Sequence, residues 1–368
     1  MIAVFLDSIK PMEFYRSREF NENRIYYFDK LDIPHKIYYD LQEYLDCQET
    51  FKVAVLFNNI THSPYLNDKN IFLEKLESIS QLSQLVILIE LEKNFPVEHN
   101  LDQEKVIIVV PGLATKLYKS KFIFKPFYFE ITTNLYKKLP FLLDKLNPYP
   151  PKEKFFDALL GVGRPHRDLI YKLFQDNQLM DKNIISYYKR DPQNLNNTEY
   201  IKIPEVQYVG REYNDPYGGG MPASYYGQKT QNAYIIATEV YNQTAYSVVA
   251  ETAYCNDFNM FSEKVAKPIL AKRLFIVFAG QGYLNSLRYL GFKTFGEVID
   301  ESYDNELDDN RRWSMAFEQI KYLCNQDQNK ILPKIRHIVD HNYEVMMHTD
   351  WDQLAVDSII ENIKKLTH

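Results

Sequence analysis

Short runs of consecutive apolar residues recur along the chain, and they constrain its fold more than any other feature. They occupy residues 2–6, 53–57, 85–89, 106–110, 155–160, 184–187, 247–250 and 274–278. Segments with helical periodicity lie between them, for example residues 71–82 and 311–323. Strands that are apolar on both faces are typical of parallel sheets covered by helices on each side. The pattern therefore predicts an α/β protein, and we expect residues 233–238 to form a further strand.

A proline-rich segment divides the chain near its middle. Three prolines fall within four positions at residues 148–151, and such a cluster ends a helix and stiffens the backbone. A length of 368 residues fits two domains. We predict a Rossmann-like domain over residues 1–148, a linker over 149–152 and a second Rossmann-like domain over 153–345. A terminal helix over 346–368 is expected to pack back across the domains.

Charge and cysteine content limit the class of protein. The net charge of −6 argues against a general nucleic-acid binder. Three widely separated cysteines form no disulfide or metal-ligand pattern, which is typical of a reducing compartment. Because no apolar run approaches the ~20 residues of a membrane-spanning helix, we expect no transmembrane segment. These features predict a cytoplasmic protein.

The start of a predicted helix near residue 263 offers a site for an anion. Ser262 is placed to cap this helix, and Lys264 and Lys267 add positive charge to its first turns. Glu263 could hold ribose hydroxyls beside a phosphate. The alternative is an ordinary capped helix that carries a solvated Glu–Lys pair.

A second candidate anion site follows the predicted strand at residues 155–160. Gly161 and Gly163 allow a tight turn, Pro165 suits the first turn of a helix, and Arg164 and Arg167 suit forked phosphate contacts. His166, within the same turn, could donate to a phosphate or lie on the surface. The alternative is a basic helix start exposed to solvent, which the helix dipole disfavours.

The stretch from residue 247 to 291 resembles the donor-binding segment of the α-1,3-fucosyltransferase family. The shared features are the tripeptide Ser262-Glu263-Lys264, an apolar helix and a strand that ends in small residues. The resemblance implies a two-domain GT-B fold with a cleft, in which Glu263 holds the ribose of a nucleotide sugar and Lys264 its diphosphate. It also implies a diphosphate contact for Arg164 or Arg167. The chain is similar as well to uncharacterised phage-type proteins, a likeness that implies no activity and would place it in the host cytoplasm.

The resulting hypothesis is a glycosyltransferase of hexosyl or fucosyl type, inverting and metal-independent. A nucleotide-diphosphate sugar serves as co-substrate, with no further cofactor, and the acceptor is a hydroxyl of a glycan or another molecule. No convincing Asp-x-Asp metal motif occurs. Candidates for the base that deprotonates the acceptor follow or end first-domain strands, and these are Asp7, His62, Glu90 and Glu92.

Two alternatives remain open at this stage. The chain could be a phage-type DNA-base glycosyltransferase, with a basic and aromatic strip for a flipped base. The strip would comprise Lys116, Tyr118, Lys119, Lys121, Phe122, Phe124 and Lys125. The chain could instead be a non-catalytic binding or structural protein that retains the fold. An acidic run at residues 300–304 could bind a metal or a sugar, or form a solvated loop.

Overall fold

A computed structural model describes residues 2–6, 35–38, 51–58, 83–90, 105–110, 112–114, 121–188, 206–208, 222–254 and 256–364, with a few isolated positions between these ranges. The chain forms two compact units. The first comprises Met1–Phe127 and Asp350–His368, and the second comprises Tyr128–Thr349. Both are mixed α/β structures with parallel sheets, as the apolar runs predict.

The first unit is built on a parallel sheet of six strands in the order β2-β1-β3-β4-β5-β7. The six strands of this sheet are β1 (Ile2–Leu6), β2 (His35–Tyr38), β3 (Phe51–Asn58), β4 (Ser83–Glu90), β5 (Val106–Val110) and β7 (Lys121–Phe124), and the short strand β6 (Gly112–Ala114) lies outside it. Leu6 pairs with Phe57, and Asn58 pairs with Glu90. The carboxyl ends of β1, β3 and β4 therefore lie together at one edge of this sheet.

The second unit is built on a parallel sheet in the order β15-β13-β8-β9. The strands of this unit are β8 (Lys154–Val162), β9 (Ile184–Tyr188), β10 (Val206–Tyr208), β11 (Pro222–Tyr225), β12 (Gln228–Gln231), β13 (Thr244–Ala250), β14 (Phe258–Met260) and β15 (Leu274–Phe278). Strands β10, β11 and β12 form a small antiparallel sheet. Every residue of β13 and β15 is buried, so these strands form the centre of the core.

The described residues also form helices, most of which lie between or after the strands of the second unit. They are α1 (Phe127–Lys138), α2 (Phe141–Asp144), α3 (Pro165–Asp176), α4 (Thr238–Gln243), α5 (Glu263–Leu270), α6 (Tyr283–Tyr289), α7 (Asp309–Leu323), α8 (Gln328–His348) and α9 (Trp351–Lys364). Helix α9 belongs to the first unit, so the chain returns there at its carboxyl end. None of the helices in the described residues is long and apolar enough to cross a membrane.

The two units divide at Phe127, ahead of the linker predicted at residues 149–152. The proline-rich segment is fastened within the second unit instead. The Tyr149 hydroxyl donates to Asp340 Oδ1 over 2.5 Å, and the Lys152 backbone N–H donates to Gln328 Oε1 over 2.6 Å. Both acceptors lie on α8, which explains why a segment with the composition of a linker does not separate the units.

The strand predicted at residues 233–238 is wrong. The structure has a 3₁₀ turn over Asn232–Tyr234 and the start of α4 at Thr238. Ile235 and Ile236 between them are buried, and the Ile236 N–H donates to the Tyr136 hydroxyl over 2.6 Å. A short apolar run does not by itself distinguish a strand from a buried connection, since both remove consecutive side chains from water.

A buried ion pair fixes the amino-terminal side of the second sheet. Arg273, which immediately precedes β15, donates to Asp157 Oδ1 over 2.8 Å, and both side chains are 3 % exposed. The same guanidinium donates to the Ser247 hydroxyl and to the backbone carbonyls of Tyr241 and Thr244. These contacts join β8, β13 and β15 at the sheet edge opposite the carboxyl ends of these strands.

Candidate functional site

Strands β8 and β13 are neighbours in the second sheet, and the chain continues from them in different directions. It passes from β8 to β9 on one side, and later reaches β13 and β15 on the other. In open α/β sheets, ligands bind outside the carboxyl ends of the strands at such a point. Arg164 and Arg167 follow β8, whereas Glu263, Lys264 and Lys267 follow β13. The topology therefore brings all five predicted donor-binding residues to one sheet edge.

The turn between β8 and α3 has the form expected from its sequence. Gly161 has a φ of +64°, a left-handed conformation that favours glycine. Arg164 is extended and precedes the helix, and Pro165 is its first residue, which agrees with its predicted place in the first turn. Within the described residues no side chain caps this helix start. The amino-terminal end of α3, twelve residues long, therefore keeps backbone donors for an anion.

Arg167 is a structural residue in this arrangement. It is 4 % exposed, and its Nη2 donates to the carbonyl oxygens of Ala250 at 3.1 Å and Glu251 at 3.4 Å. Burial, together with the charge of Arg164, lowers the pKa of Arg167 to about 10, so the guanidinium stays charged at neutral pH. A Cβ at Gly161 would lie 3.6 Å from Nη1 of Arg167. The buried guanidinium thus ties α3 to the end of β13.

Arg164 is placed differently from Arg167. Its side chain is half-buried, and its Nη1 donates to the carbonyl oxygen of Thr252. A guanidinium has five N–H donors, and in the described part of the chain the Arg164 guanidinium makes only this hydrogen bond. Of the two arginines that the sequence could not separate, Arg164 is the more exposed, and most of its guanidinium donors make no hydrogen bond within the described residues.

His166 is neither a phosphate donor nor a surface residue, and both readings of it are wrong. Its side chain is fully buried, and its Nε2 donates to the carbonyl oxygen of Glu251 over 2.9 Å. Burial, with the charge of Arg167 beside it, lowers the pKa of His166 to about 3. The imidazole is therefore neutral at physiological pH and serves to hold the loop after β13.

Glu251 is the centre of a hydrogen-bond network beneath the site. Its side chain has no exposed surface. Oε1 accepts from the Ser262 N–H at 3.2 Å and the Tyr283 hydroxyl at 2.7 Å. Oε2 accepts from the Thr252 N–H at 3.0 Å and the Ser262 hydroxyl at 2.6 Å. This carboxylate joins the loop after β13 to the starts of α5 and α6.

The start of α5 is built as the sequence predicts at Ser262 and differently at Glu263. The Ser262 hydroxyl accepts from the Lys264 N–H at 3.2 Å, which confirms the predicted cap. Glu263 is only 8 % exposed, and its Oε1 lies 2.6 Å from Lys264 Nζ, so the expectation of a solvated pair is wrong. Burial raises the pKa of Glu263, but the charges of Lys264 and Lys267 outweigh it and leave that pKa lowered.

The two lysines of α5 differ in the hydrogen bonds that their ammonium groups make. Lys264 Nζ donates to the Thr252 hydroxyl over 3.0 Å as well as to Glu263. Lys267 is half-buried, and across the described residues its ammonium has no hydrogen-bond partner. Burial lowers the pKa of Lys267 to about 8, against the opposing effect of Glu263. Arg164 and Lys264 thus meet at Thr252, and Lys267 lies one turn behind.

One residue of the acidic run at residues 300–304, Asp304, accepts hydrogen bonds from the start of α6. Asp304 is buried, and its two oxygens accept from the N–H groups of Leu284 at 2.9 Å and Asn285 at 3.0 Å, in the first turn of α6. The protein's own carboxylate therefore occupies the anion position beside β15. No group of three or more His, Cys, Asp or Glu side chains within the described residues is placed to hold a metal ion.

The predicted acceptor-side residues have less structural description. Asp7, His62 and Glu92 lie outside the described residues. Glu90 is the last residue of β4, at the sheet edge where β1 and β3 also end. The strands that lead to these candidates are therefore placed side by side.

The basic strip proposed for a DNA acceptor loses one of its members. Lys125 is 7 % exposed, and its Nζ lies 3.2 Å from Asp352 Oδ1. Lys121 is exposed, whereas Lys116 and Lys119 lie outside the described residues. A lysine that is buried and paired does not add to an open basic surface.

Sequence reasoning assigned no role to Glu251, Thr252 or Tyr283. Their roles depend on contacts between segments that are distant in sequence, such as the hydrogen bond from Tyr283 to Glu251, 32 residues apart. The one available signal was a glutamate directly after a buried strand.

No protein-family model matches the chain, and no curated protein matches it.

Proposed function

We propose that the carboxyl edge of the second sheet binds the diphosphate of a nucleotide sugar, and that the protein is a glycosyltransferase. The observation that carries this proposal is the meeting of Arg164 and Lys264 at Thr252, beside the uncapped start of α3. Cations and helix-start N–H groups at a strand-order reversal suit a phosphorylated ligand. The resemblance to the α-1,3-fucosyltransferase segment supports the same assignment.

Each residue has a role in this proposal. Arg164 contributes a forked contact to a phosphate, since most of its donors are unused. Lys264 and Lys267 supply two further positive charges from α5. Glu263 holds a ribose hydroxyl, and the lowered pKa of its carboxyl keeps it an acceptor at neutral pH. Arg167 keeps the two loops in register and does not contact the ligand.

The reaction moves a sugar with inversion. An acceptor hydroxyl oxygen forms a bond to the anomeric carbon, while the bond from that carbon to the distal phosphate oxygen breaks. The electron pair of the broken bond stays on the leaving nucleoside diphosphate, and the acceptor proton goes to a base. Arg164 and Lys264 offset the negative charge that grows on the leaving group, so the chain's own cations can replace a metal ion in this step.

The acceptor belongs to the first unit in this proposal, which includes a GT-B arrangement of the two units. Its sheet edge at β1, β3 and β4 leads to the base candidates Asp7, His62, Glu90 and Glu92. The hydroxyl belongs to a glycan or another soluble acceptor. A DNA acceptor is the weaker alternative, because Lys125 is engaged by Asp352.

A thermal-shift panel tests the donor site. Wild-type protein is titrated with UDP, GDP, CDP, ADP and pyrophosphate, with and without Mg²⁺. A ligand that binds only the folded protein stabilises it by about 2.7 kcal/mol at a hundredfold excess over Kd. We expect one nucleotide to raise the melting temperature in the absence of Mg²⁺, and Lys264→Ala and Arg164→Ala to abolish that shift.

The matched control is Lys334→Ala, since Lys334 is an exposed lysine of α8 and belongs to neither loop. It should retain the full shift. Absence of any shift in the wild-type protein would contradict the proposal. A shift without sugar transfer in an acceptor screen would favour the non-catalytic alternative.

A further inference from the structure

Tyr254 places an aromatic ring next to the cations of the site. It lies in the loop after β13, two residues beyond Thr252. Thr252 is the residue that both cations contact, Arg164 through its carbonyl oxygen and Lys264 through its hydroxyl. Two residues of chain span at most about 7 Å. A ligand held by those cations therefore has the Tyr254 ring within reach.

The ring of Tyr254 is held by two other rings. Its centroid lies 4.8 Å from that of His166 at an interplanar angle of 38°, and 5.7 Å from that of Trp313 in an edge-on arrangement. Both supporting residues are buried, and the Trp313 indole N–H is fixed by the Ala279 carbonyl oxygen at 3.3 Å. Tyr254 itself is only half-buried, and its hydroxyl has no hydrogen bond within the described residues. The Tyr254 ring thus packs against two buried rings, while part of the residue stays exposed to solvent.

The anion position beside β15 is already occupied by a carboxylate of the protein. On the β15 side, the start of α6 is taken by the carboxylate of Asp304, which accepts from the N–H groups of Leu284 and Asn285. A nucleotide whose phosphates lie at Arg164 and Lys264 meets a closed anion position in that direction. The loop that carries Tyr254 also contains Thr252, which both cations contact.

We propose that Tyr254 is the stacking platform for the base of the nucleotide, which identifies the ligand of this site as a nucleoside diphosphate rather than a simple phosphate anion. The inference rests on the proposed diphosphate site. A preorganised aromatic face suits a base because stacking is insensitive to which base is present and contributes about 1–3 kcal/mol. Tyr254 therefore provides affinity for a base, and hydrogen-bonding groups elsewhere select which one.

Titration calorimetry with paired ligands tests this platform. Full-length wild type, Tyr254→Ala and Tyr254→Phe are each titrated with the nucleoside diphosphate found in the panel and with pyrophosphate, which has no base. Loss of about 1–3 kcal/mol of stacking corresponds to an affinity about 5- to 150-fold lower for the nucleotide with Tyr254→Ala. We expect pyrophosphate binding to be unchanged, and Tyr254→Phe to bind both ligands as wild type does, since it retains the ring.

Two further variants keep the result interpretable. Tyr254→Leu keeps apolar volume against His166 but lacks an aromatic face, so it should lose nucleotide affinity even if Tyr254→Ala is poorly folded. Tyr289→Ala removes a tyrosine that is 80 % exposed and should change nothing.

The outcomes separate the two proposals. If the nucleotide binds and Lys264→Ala abolishes binding, but Tyr254→Ala and Tyr254→Leu bind it normally, the platform is wrong and the diphosphate site stands. A parallel loss of nucleotide and pyrophosphate in Tyr254→Leu would also overturn the platform, since that residue would then act on the loop. If neither ligand binds the wild-type protein, the diphosphate site itself is wrong, and the platform fails with it.

Discussion

Replacing Glu251 by glutamine tests whether the loops of the site are held by one buried carboxylate. The glutamate has no exposed surface and accepts from four donors, two at each oxygen. Glutamine keeps the shape but offers only one oxygen. In one orientation its NH₂ group faces the Thr252 N–H, and in the other it faces the Ser262 N–H. The hydroxyls of Ser262 and Tyr283 can rotate to accept, but a backbone N–H cannot.

The magnitude follows from that geometry. Either orientation leaves one buried backbone donor without an acceptor, which costs about 1–3 kcal/mol of unfolding free energy. Loss of the charge-assisted contacts places the expected value in the upper half of this range. Glu251→Ala removes all four acceptor contacts and should cost more than Glu251→Gln. Neither substitution removes a group that contacts the proposed ligand. Nucleotide binding should therefore be partly retained at temperatures where the variants stay folded.

Urea unfolding monitored by Trp313 measures this effect in the second unit. The protein has two tryptophans, and Trp351 belongs to the first unit, so Trp351→Phe leaves Trp313 as the reporter. Glu239→Gln, at an exposed position of α4, is the matched control and should stay within about 0.5 kcal/mol of the parent. An unfolding free energy for Glu251→Gln equal to that of the control, at an unchanged denaturant slope, would refute the network.

Three further perturbations follow from the same contacts. Arg273→Met leaves the carboxylate of Asp157 buried without its cation, so it should lower the unfolding free energy by about 3–5 kcal/mol in the same urea assay. A loss below about 1 kcal/mol would show that the pair is not buried in solution. Lys272 has a φ of +53°, a left-handed conformation that glycine adopts more readily than alanine. Lys272→Gly should therefore be about 1 kcal/mol more stable than Lys272→Ala, since both variants lack the lysine side chain. Equal stabilities would mean that the left-handed conformation is absent. Lys267 has a pKa lowered to about 8 in the folded protein, below the unfolded value of ~10.4. Pyrophosphate affinity should therefore fall as pH rises through 8, because the ammonium loses its charge. Over the same range, from pH 8 toward pH ~10, the unfolding free energy should increase, because the unfolded state binds more protons. Calorimetry with Lys267→Arg, charged throughout, should show a smaller fall in affinity, and equal pH profiles would exclude a role for this ammonium.

The sheets could be predicted from the sequence because their signal is local. The apolar run at residues 274–278 coincides with β15, and the run at 106–110 with β5. Both strands are buried along their whole length, and continuous burial requires continuous apolar sequence. The capping role of Ser262 and the place of Pro165 in the first turn of a helix were also predictable, since each depends on residues within a few positions.

The environments of the polar site residues could not be predicted in the same way. His166 and Arg167 are buried by carbonyl groups 83 to 85 residues away at the end of β13, and no spacing within the turn indicates this. Asp304 looks like part of an acidic run, but it caps a helix 20 residues earlier in the chain. Each of these side chains is polar in sequence and buried in the fold because its partner is brought to it by the sheet.

The two arginines after β8 divide two tasks that the sequence leaves together. Arg167 donates to main-chain carbonyls at the end of β13 and is buried, so its loss should act through stability. Arg164 is half-buried with most donors unused, so its loss should act through binding. Arg167→Met is therefore expected to lower the unfolding free energy measured with Trp313, and Arg164→Ala to leave it within about 0.5 kcal/mol while removing the nucleotide shift. If the effects were reversed, Arg167 would be the residue that contacts the phosphates, and the ligand would lie deeper against β13 than the contacts at Thr252 indicate.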